Sequence, residues 1–325
     1  MLAQPATVPT LPAVPVVPPP GPHGGDADAL ARALGVAPAS ILDLSASLNP
    51  LAPDPAPVVA RHLDALGRYP DATEATEALA AVLGVAAERV LLTNGGAEAI
   101  ALVAAELGPG WVDEPDFSLY RRHLPAVREG APRWRSNPHN PSGRLAGADE
   151  RAAVWDEAFY PLATGRWTRG DEGAVVLGSL TKLLACPGLR LGYVLAPDAD
   201  LVGRLAARQP RWSVNGLAAA ALPELLATVD LPGWSAGIAA ARAELVELLA
   251  RHGLAADAAD APWVLVPGAP ADLRPALAAQ GVLVRDCTSF GLDATVRIAV
   301  PSTSGMARLA DALARWRAGT VYGIS

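Results

Sequence analysis

The sequence predicts an α/β protein: a large domain on a mostly parallel sheet flanked by helices, joined to a smaller α+β domain. Three observations carry this. From about Pro57 to Leu225, helical and strand patterns alternate in the rhythm of parallel-sheet proteins. The run "RVLLTNGGAEAIALVAA" passes from a strand through glycines into a helix. Beyond about Leu225 a long helical segment gives way to short strands and a closing helix, the order of a compact α+β unit. A chain of 325 residues is long enough for two subdomains.

Taken in order, residues 1–22, "MLAQPATVPTLPAVPVVPPPGP", carry prolines too densely for helix or sheet. They predict an extended, mobile arm unless it docks on a neighbour. An Asp-led helix from about Asp26 is stopped by Gly35, and "ILDLSASLNPLAP" reads as a short strand entering a loop. Residues 23–57 are assigned to the N-terminal part of the small domain, 58–225 to the large domain and 226–325 to the C-terminal small domain. The large domain has a helix through "TEATEALAAVLG", the strand "RVLLTNG", a helix opening at "GAEAIALVAAELG" and the strand "GWVDEP". Further strands are expected at "AVWDEA", "GAVVLGSL" and "LGYVLAP". The last unit holds the helix "GWSAGIAAARAELVELLARHG", the strand "PWVLVPG", a helix near "DLRPALAAQG", the strands "VLVRDC" and "TVRIAV", and the helix "TSGMARLADALARWRAG".

A net charge of -7 without a basic stripe argues against nucleic-acid or anionic-membrane partners and favours a small-molecule ligand. The arginines of "RLAARQPRW" read as a solvated helix end. Cys186 and Cys287 lie far apart, so neither a zinc site nor a disulfide framework is expected and a reducing cytoplasm is the default. No metal is expected either, because His62, His123, His139 and His252 share no ligand spacing. No apolar run approaches the roughly 20 residues needed to cross a bilayer, and the N-terminus lacks the pattern of a secretory signal. Trp155, Trp167 and Trp212 read as packing residues.

The chemistry concentrates in "SLTKLLACPGLRLGY", which holds Lys182, the only lysine in the central half of the chain. Arginine is always charged, whereas a lysine with a lowered pKa can attack a carbonyl and form a Schiff base. Flanking apolar residues and glycines predict that Lys182 is buried. Eight residues on, Arg190 supplies a guanidinium suited to phosphate. The helix start in "TNGGAEAI" leaves backbone amides free for an anion, although alone an ordinary turn is the better reading. "VWDEAF" puts Asp156 at a strand end, where ligands of open α/β sheets gather. An aspartate there caps the next segment or, beside a pyridine ring, keeps the ring nitrogen protonated and makes the ring an electron sink. Together, a phosphate site, a ring-nitrogen acid and an imine-forming lysine describe pyridoxal 5'-phosphate.

With "RYPD", "NGGAEAI", "DEPDFSLY", "NPHNPSG", "WDEAF", "SLTK", "GLRLGY" and "VRIAV", the sequence resembles the fold-type I pyridoxal-phosphate enzymes of the aspartate aminotransferase superfamily, over nearly everything after His23. The resemblance implies their transferase-like fold. It implies that Gly96, Ala97 and Glu98 cradle the cofactor phosphate with Ser179, Thr181 and Arg190, and that Tyr69 reaches this phosphate from a partner subunit, which makes a homodimer. Phe117 would stack on the ring, Asn140 bond its hydroxyl, Asp156 bond its nitrogen and Arg297 clamp the substrate carboxylate, with Lys182 as the catalytic amine.

Within the superfamily, "HGGDADALARALG" and "DLSASLNPLAP" resemble the pattern of the L-threonine-O-3-phosphate decarboxylases of cobalamin biosynthesis. That implies His23 and Asn49 at the substrate end. Arg285 is either a further candidate for the substrate's distal phosphate or simply a partner of nearby Asp286. The alternatives are a histidinol-phosphate-type aminotransferase, which shares every cofactor residue, and a catalytically silent homologue acting as a binding partner. Two departures stand out. Phe159 occupies a position where histidinol-phosphate aminotransferases carry tyrosine. "RRHLPAVREGAPRWRS" and "SGRLAGADERAAVWDEAF" are shorter than in a typical member, so peripheral elements of the sheet are expected to be missing or displaced.

Overall fold

Strands that are apolar on both faces make up the centre of the fold. In the computed structural model, which describes residues 17–21, 23–170 and 172–319, the strands in chain order are β1 (Leu42–Asp43), β2 (Val90–Asn94), β3 (Trp111–Val112), β4 (Arg133–Ser136), β5 (Val154–Asp156), β6 (Val175–Ser179), β7 (Leu191–Leu195), β8 (Asp257–Ala258), β9 (Trp263–Pro267), β10 (Val282–Leu283), β11 (Arg285–Asp286) and β12 (Thr295–Ala299). The six-stranded sheet has the order β2-β7-β6-β5-β4-β3. β3 to β6 pair in parallel, while β7 runs antiparallel to both β6 and β2, so the sheet is mixed and mostly parallel. In β6, Val175 and Leu177 pack with Ile100, Val103 and Leu205 on one side, and Val176 packs with Leu79, Tyr193 and Leu222 on the other. A strand covered on both faces requires an unbroken apolar run, which is what "VVL" supplies.

The second unit is the antiparallel sheet β11-β12-β9-β8, whose Val264, Val266 and Ile298 share a core with Ile238 and Leu245 of the helix Leu231–Arg251 and Leu309 and Leu313 of the helix Thr303–Arg317. β1 pairs in parallel with β10, Leu42 opposite Val282, so the N-terminal segment is stitched to this C-terminal unit. The expected strand "VLVRDC" divides at Val284: β10 serves β1 and β11 serves β12. Most of the proline-rich arm, residues 1–16, lies outside the described residues. Its last part docks on the chain itself, because Arg274 donates two hydrogen bonds to the Pro18 carbonyl and Val17 packs against the cluster of Leu30, Ile41 and Leu283.

The shortened region resolves differently from expectation at its two halves. The sheet keeps its strand: "RWRS" is β4, seated between β3 and β5, and the helix Leu119–His123 precedes it. The crossover from β4 to β5, residues 137–153, contains no helix. It is a loop pinned by the Arg169 guanidinium on the Ala148 and Glu150 carbonyls and by the Ala146 amide on Asn137. Among the described residues no helix is long and apolar enough to cross a membrane.

Parallel strands β2, β4, β5 and β6 end on the same edge, and β7, running oppositely, begins there: Asn94 lies opposite Leu191 and Ser179 opposite Gly192. That edge is where the chain leaves each strand and can surround a ligand. Its tightest point is Gly192, where a Cβ would stand 2.5 Å from the Gly95 carbonyl carbon and 2.6 Å from the Gly96 nitrogen, both backbone atoms that cannot turn aside. Gly192→Ala is therefore expected to lower unfolding free energy by about 2 to 3 kcal/mol. Urea titration measures this, and an unchanged midpoint would contradict the packing described.

Candidate active site

The strand ends converge on one cavity of about 220 Å3, lined by residues of both units. At the end of β2 the chain turns through Gly95, with φ +78°, into the helix Gly96–Leu107. A side chain at Gly95 would collide with the Arg190 guanidinium, 2.6 Å from its ideal Cβ position, so the turn is glycine for conformation and for space. Gly96 and Ala97 line the cavity with Ser179, Thr181 and Arg190, and the Ser179 and Thr181 hydroxyls are 2.8 Å apart. Helix-start amides, two hydroxyls and a guanidinium make a bed for a phosphate dianion.

Asp156 ends β5 and faces the same cavity. Its Oδ2 accepts the Tyr120 hydroxyl at 2.8 Å and its Oδ1 accepts the Ala158 amide at 3.1 Å. Burial pushes its carboxyl up to about 6, opposed by these two bonds and reinforced by nearby Asp116. Asp116 is itself buried and raised to about 6, although Ser136 gives it both amide and hydroxyl bonds. Tyr120 is a cavity-lining residue that sequence reasoning missed, although it stands in the quoted motif "DEPDFSLY" three places after Phe117.

Lys182, the sole lysine of the 325-residue sequence, sits in the four-residue helix Leu180–Leu183 after β6. Its Nζ lines the cavity side of the turn and donates to the Ala46 carbonyl at 3.1 Å. Burial lowers its pKa to about 8, helped by the Arg297 and Arg190 guanidiniums and opposed by Asp43. A neutral amine is thus available near physiological pH.

Arg297 of β12 donates to the Asn140 side-chain oxygen at 2.7 Å, stacks 4.8 Å from the Trp263 ring and is buried, its pKa lowered to about 10 by desolvation. Its buried Nε has no partner among the described residues. Phe117 and His23 meet edge to face at 5.9 Å on the cavity wall, and burial followed by Arg285 and Arg122 lowers the His23 pKa. Arg285 completes the mouth, bonded to the Gly21 carbonyl and the Ser289 hydroxyl. Phe159 also lines the cavity, edge-on to Trp263 at 4.8 Å, and offers no hydroxyl.

Two expected side chains stand elsewhere. The Glu98 carboxylate turns away from the phosphate bed and accepts the Asn94 amide, the Gln209 amide and the Ser213 hydroxyl; a carboxylate in that bed would repel the anion. Asn49 lies behind Lys182, not at the substrate end, with its side chain bonded to the Leu183 carbonyl and the Leu51 amide. Tyr69, expected to serve a partner's cavity and not its own, is 75% exposed, stacked on Trp212 at 4.5 Å and outside this chain's cavity.

Residues 134–313 match the family described as Aminotransferase class I and II. The chain belongs to this family. Pyridoxal 5'-phosphate is the family's cofactor, and the chain is a pyridoxal-phosphate-dependent aminotransferase-family enzyme. It is 34% identical to the threonine-phosphate decarboxylase of Salmonella typhimurium over 61% of this chain and 68% of that protein. It is 31% identical to the histidinol-phosphate aminotransferase of Symbiobacterium thermophilum over 84% of this chain and 90% of that one. The solved structure of the Sinorhizobium meliloti histidinol-phosphate aminotransferase in complex with pyridoxal-5'-phosphate superimposes with a TM-score of 0.76, at 18% identity over 97% of this chain and 99% of that one. The residues of the aminotransferase cavity fit the cofactor. A buried carboxylate, an anion bed and a lysine of lowered pKa line one space.

Two outcomes follow. Lys182→Ala is expected to remove the absorption band that the wild-type chain develops with pyridoxal phosphate, because no other lysine exists to take its place. Tyr120→Phe deprives Asp156 of the bond that lowers its pKa, so the carboxyl should take its proton at a pH above about 6. Cofactor affinity, followed by fluorescence, should fall by about tenfold between pH 6 and 7 and approach wild type at pH 8 and above. A pH-independent loss would point to a packing defect instead.

Proposed function

We propose that the chain decarboxylates L-threonine O-3-phosphate to (R)-1-amino-2-propanol O-2-phosphate, a precursor of the cobalamin nucleotide loop. The observation that carries this reading is the pairing of two anion-binding groups at the substrate end: buried Arg297 with its unpartnered Nε, and Arg285 with His23 at the mouth. A substrate bearing both a carboxylate and a phosphate needs both. Arg297 suits the carboxylate, because its planar fork binds bidentately. Arg285 and His23 then take the phosphate. The 34% identity to a threonine-phosphate decarboxylase supports the same assignment.

When bound, pyridoxal phosphate supplies an aldehyde for the substrate amine and a ring that accepts the electron pair released at Cα. The chain's own residues decide which bond at Cα breaks. Asp156 would hold the ring nitrogen and Phe117 would pack against the cofactor. Arg285 and His23 would fix the distal phosphate and Arg297 the carboxylate, and the placement of these two grips would set which bond at Cα is presented for cleavage. Lys182 Nζ, with a pKa of about 8, carries a proton near neutral pH that it could deliver to Cα once the carboxylate has left.

We further read the active unit as a homodimer in the cytoplasm. Tyr69 follows the exposed Leu63 and Leu66 and faces outward, as a residue that serves a partner's cavity would. Cys186 and Cys287 are free and buried, in keeping with a reducing compartment. The longer match to a histidinol-phosphate aminotransferase favours a second reading, transamination, at the same cavity. A silent homologue is disfavoured by the presence of Lys182, Asp156 and Arg190 around one space.

Incubation with O-phosphothreonine should release carbon dioxide and yield aminopropanol phosphate by mass spectrometry, without converting the cofactor to its amine form. Conversion by glutamate, with no carbon dioxide, would overturn the reading in favour of the transaminase. Arg285→Ala should raise KM for O-phosphothreonine by about 10- to 100-fold, the loss of charge-assisted hydrogen bonds.

A further inference from the structure

Residues 45–49 touch both halves of the site at once. On one side, the Ala46 carbonyl accepts Lys182 Nζ at 3.1 Å, the Asn49 amide donates to the Lys182 carbonyl at 3.0 Å and Asn49 Nδ2 donates to the Leu183 carbonyl at 2.9 Å. On the other, the Ser45 carbonyl accepts Arg297 at 3.4 Å, and the Ser45 hydroxyl accepts the Gly25 amide at 2.9 Å, two residues beyond His23. Asn49 is 3% exposed, does not line the cavity, and makes the side-chain bond that spans 134 residues to the lysine turn.

We propose that Asn49 is a positioning residue for Lys182: it fastens residues 45–49 to the lysine turn, so that the Ala46 carbonyl keeps hold of Nζ and the substrate-end groups tied to Ser45 stay in register with the amine. The inference rests on Lys182 as the functional amine and not on the identity of the substrate. The charged groups around Nζ are Arg297 from β12, Arg190 before β7, Asp43 from β1, Asp156 from β5, and Arg285 and His23 at the mouth. None of them contacts Asn49 by hydrogen bond, so removing its side chain changes the amine through hydration and placement, not through a lost ion pair.

Because Lys182 is the sole lysine, amine-selective labelling of the cofactor-free full chain reports on one side chain, with the N-terminal amine as an internal reference. The labelling rate at Lys182, read by peptide mass spectrometry against pH, should have its midpoint near 8 in wild type. In Asn49→Ala, burial, the largest cause of the lowered pKa, is relaxed; the midpoint should rise by about one pH unit and the plateau rate increase several-fold. Asn49→Ser separates tether from turn: its hydroxyl can still accept the Leu51 amide but is too short to reach the Leu183 carbonyl. The proposal requires the Ser variant to label like the Ala variant. A Ser variant that labels like wild type, with a wild-type thermal transition, assigns Asn49 to the local turn alone and overturns it. So does an Ala variant that is folded and has an unshifted profile.

Discussion

An amine held away from water among guanidiniums is the constraint on which the rest of the structure depends. Lys182 is buried beside Arg297 and Arg190, and this setting costs the ammonium form more than the neutral one. A lysine so placed must be walled in on every side, and the walls come from distant parts of the chain. β6 delivers the turn that carries it, β12 delivers Arg297, and the loop after β1 supplies the Ala46 carbonyl. The two sheets therefore cannot be arranged independently around this cavity.

The second pole obeys the same physics with opposite charge. Asp156 is desolvated as deeply as Lys182, and its ionised form survives on the Tyr120 hydroxyl and the Ala158 amide. Raising an acid toward neutrality while lowering a base toward it brings both within reach of a proton at physiological pH. The phosphate bed at Gly95 and Gly96 differs in kind. There the donors are backbone groups fixed by glycine geometry, and the approach of Gly192 leaves that turn no freedom to relax.

How much of this could be read from residue order depends on whether the determinant was local. Lys182, Asp156, Arg190 and the Gly96 helix start announce themselves by residue type at strand ends, and the structure collects them around one cavity. The alternation of apolar runs likewise identified the strands of the large sheet, except β4, whose "RWRS" has alternating burial but only one apolar side chain. What escaped was relational. Tyr120 matters because it meets Asp156 from 36 residues away, and Asn49 because it meets Leu183 from 134 away. Glu98 looked like part of an anion cradle because its backbone belongs to the helix start, whereas its side chain folds back to Asn94, a choice of rotamer that a motif does not encode.

The helix-free crossover between β4 and β5 leaves one flank of the sheet clothed unlike the others. Trp155 is fully buried yet belongs to neither large apolar cluster; instead the Arg135 and Arg169 guanidiniums stack on its ring at 5.7 and 4.8 Å. Where a helix would have covered this face with hydrocarbon, guanidiniums do so, and their contact with the indole ring gains from being out of water. Opening that flank would wet a whole indole and two charges together, so the loop is held closed over the strand that ends in Asp156 by groups that have more to lose than a bare apolar contact.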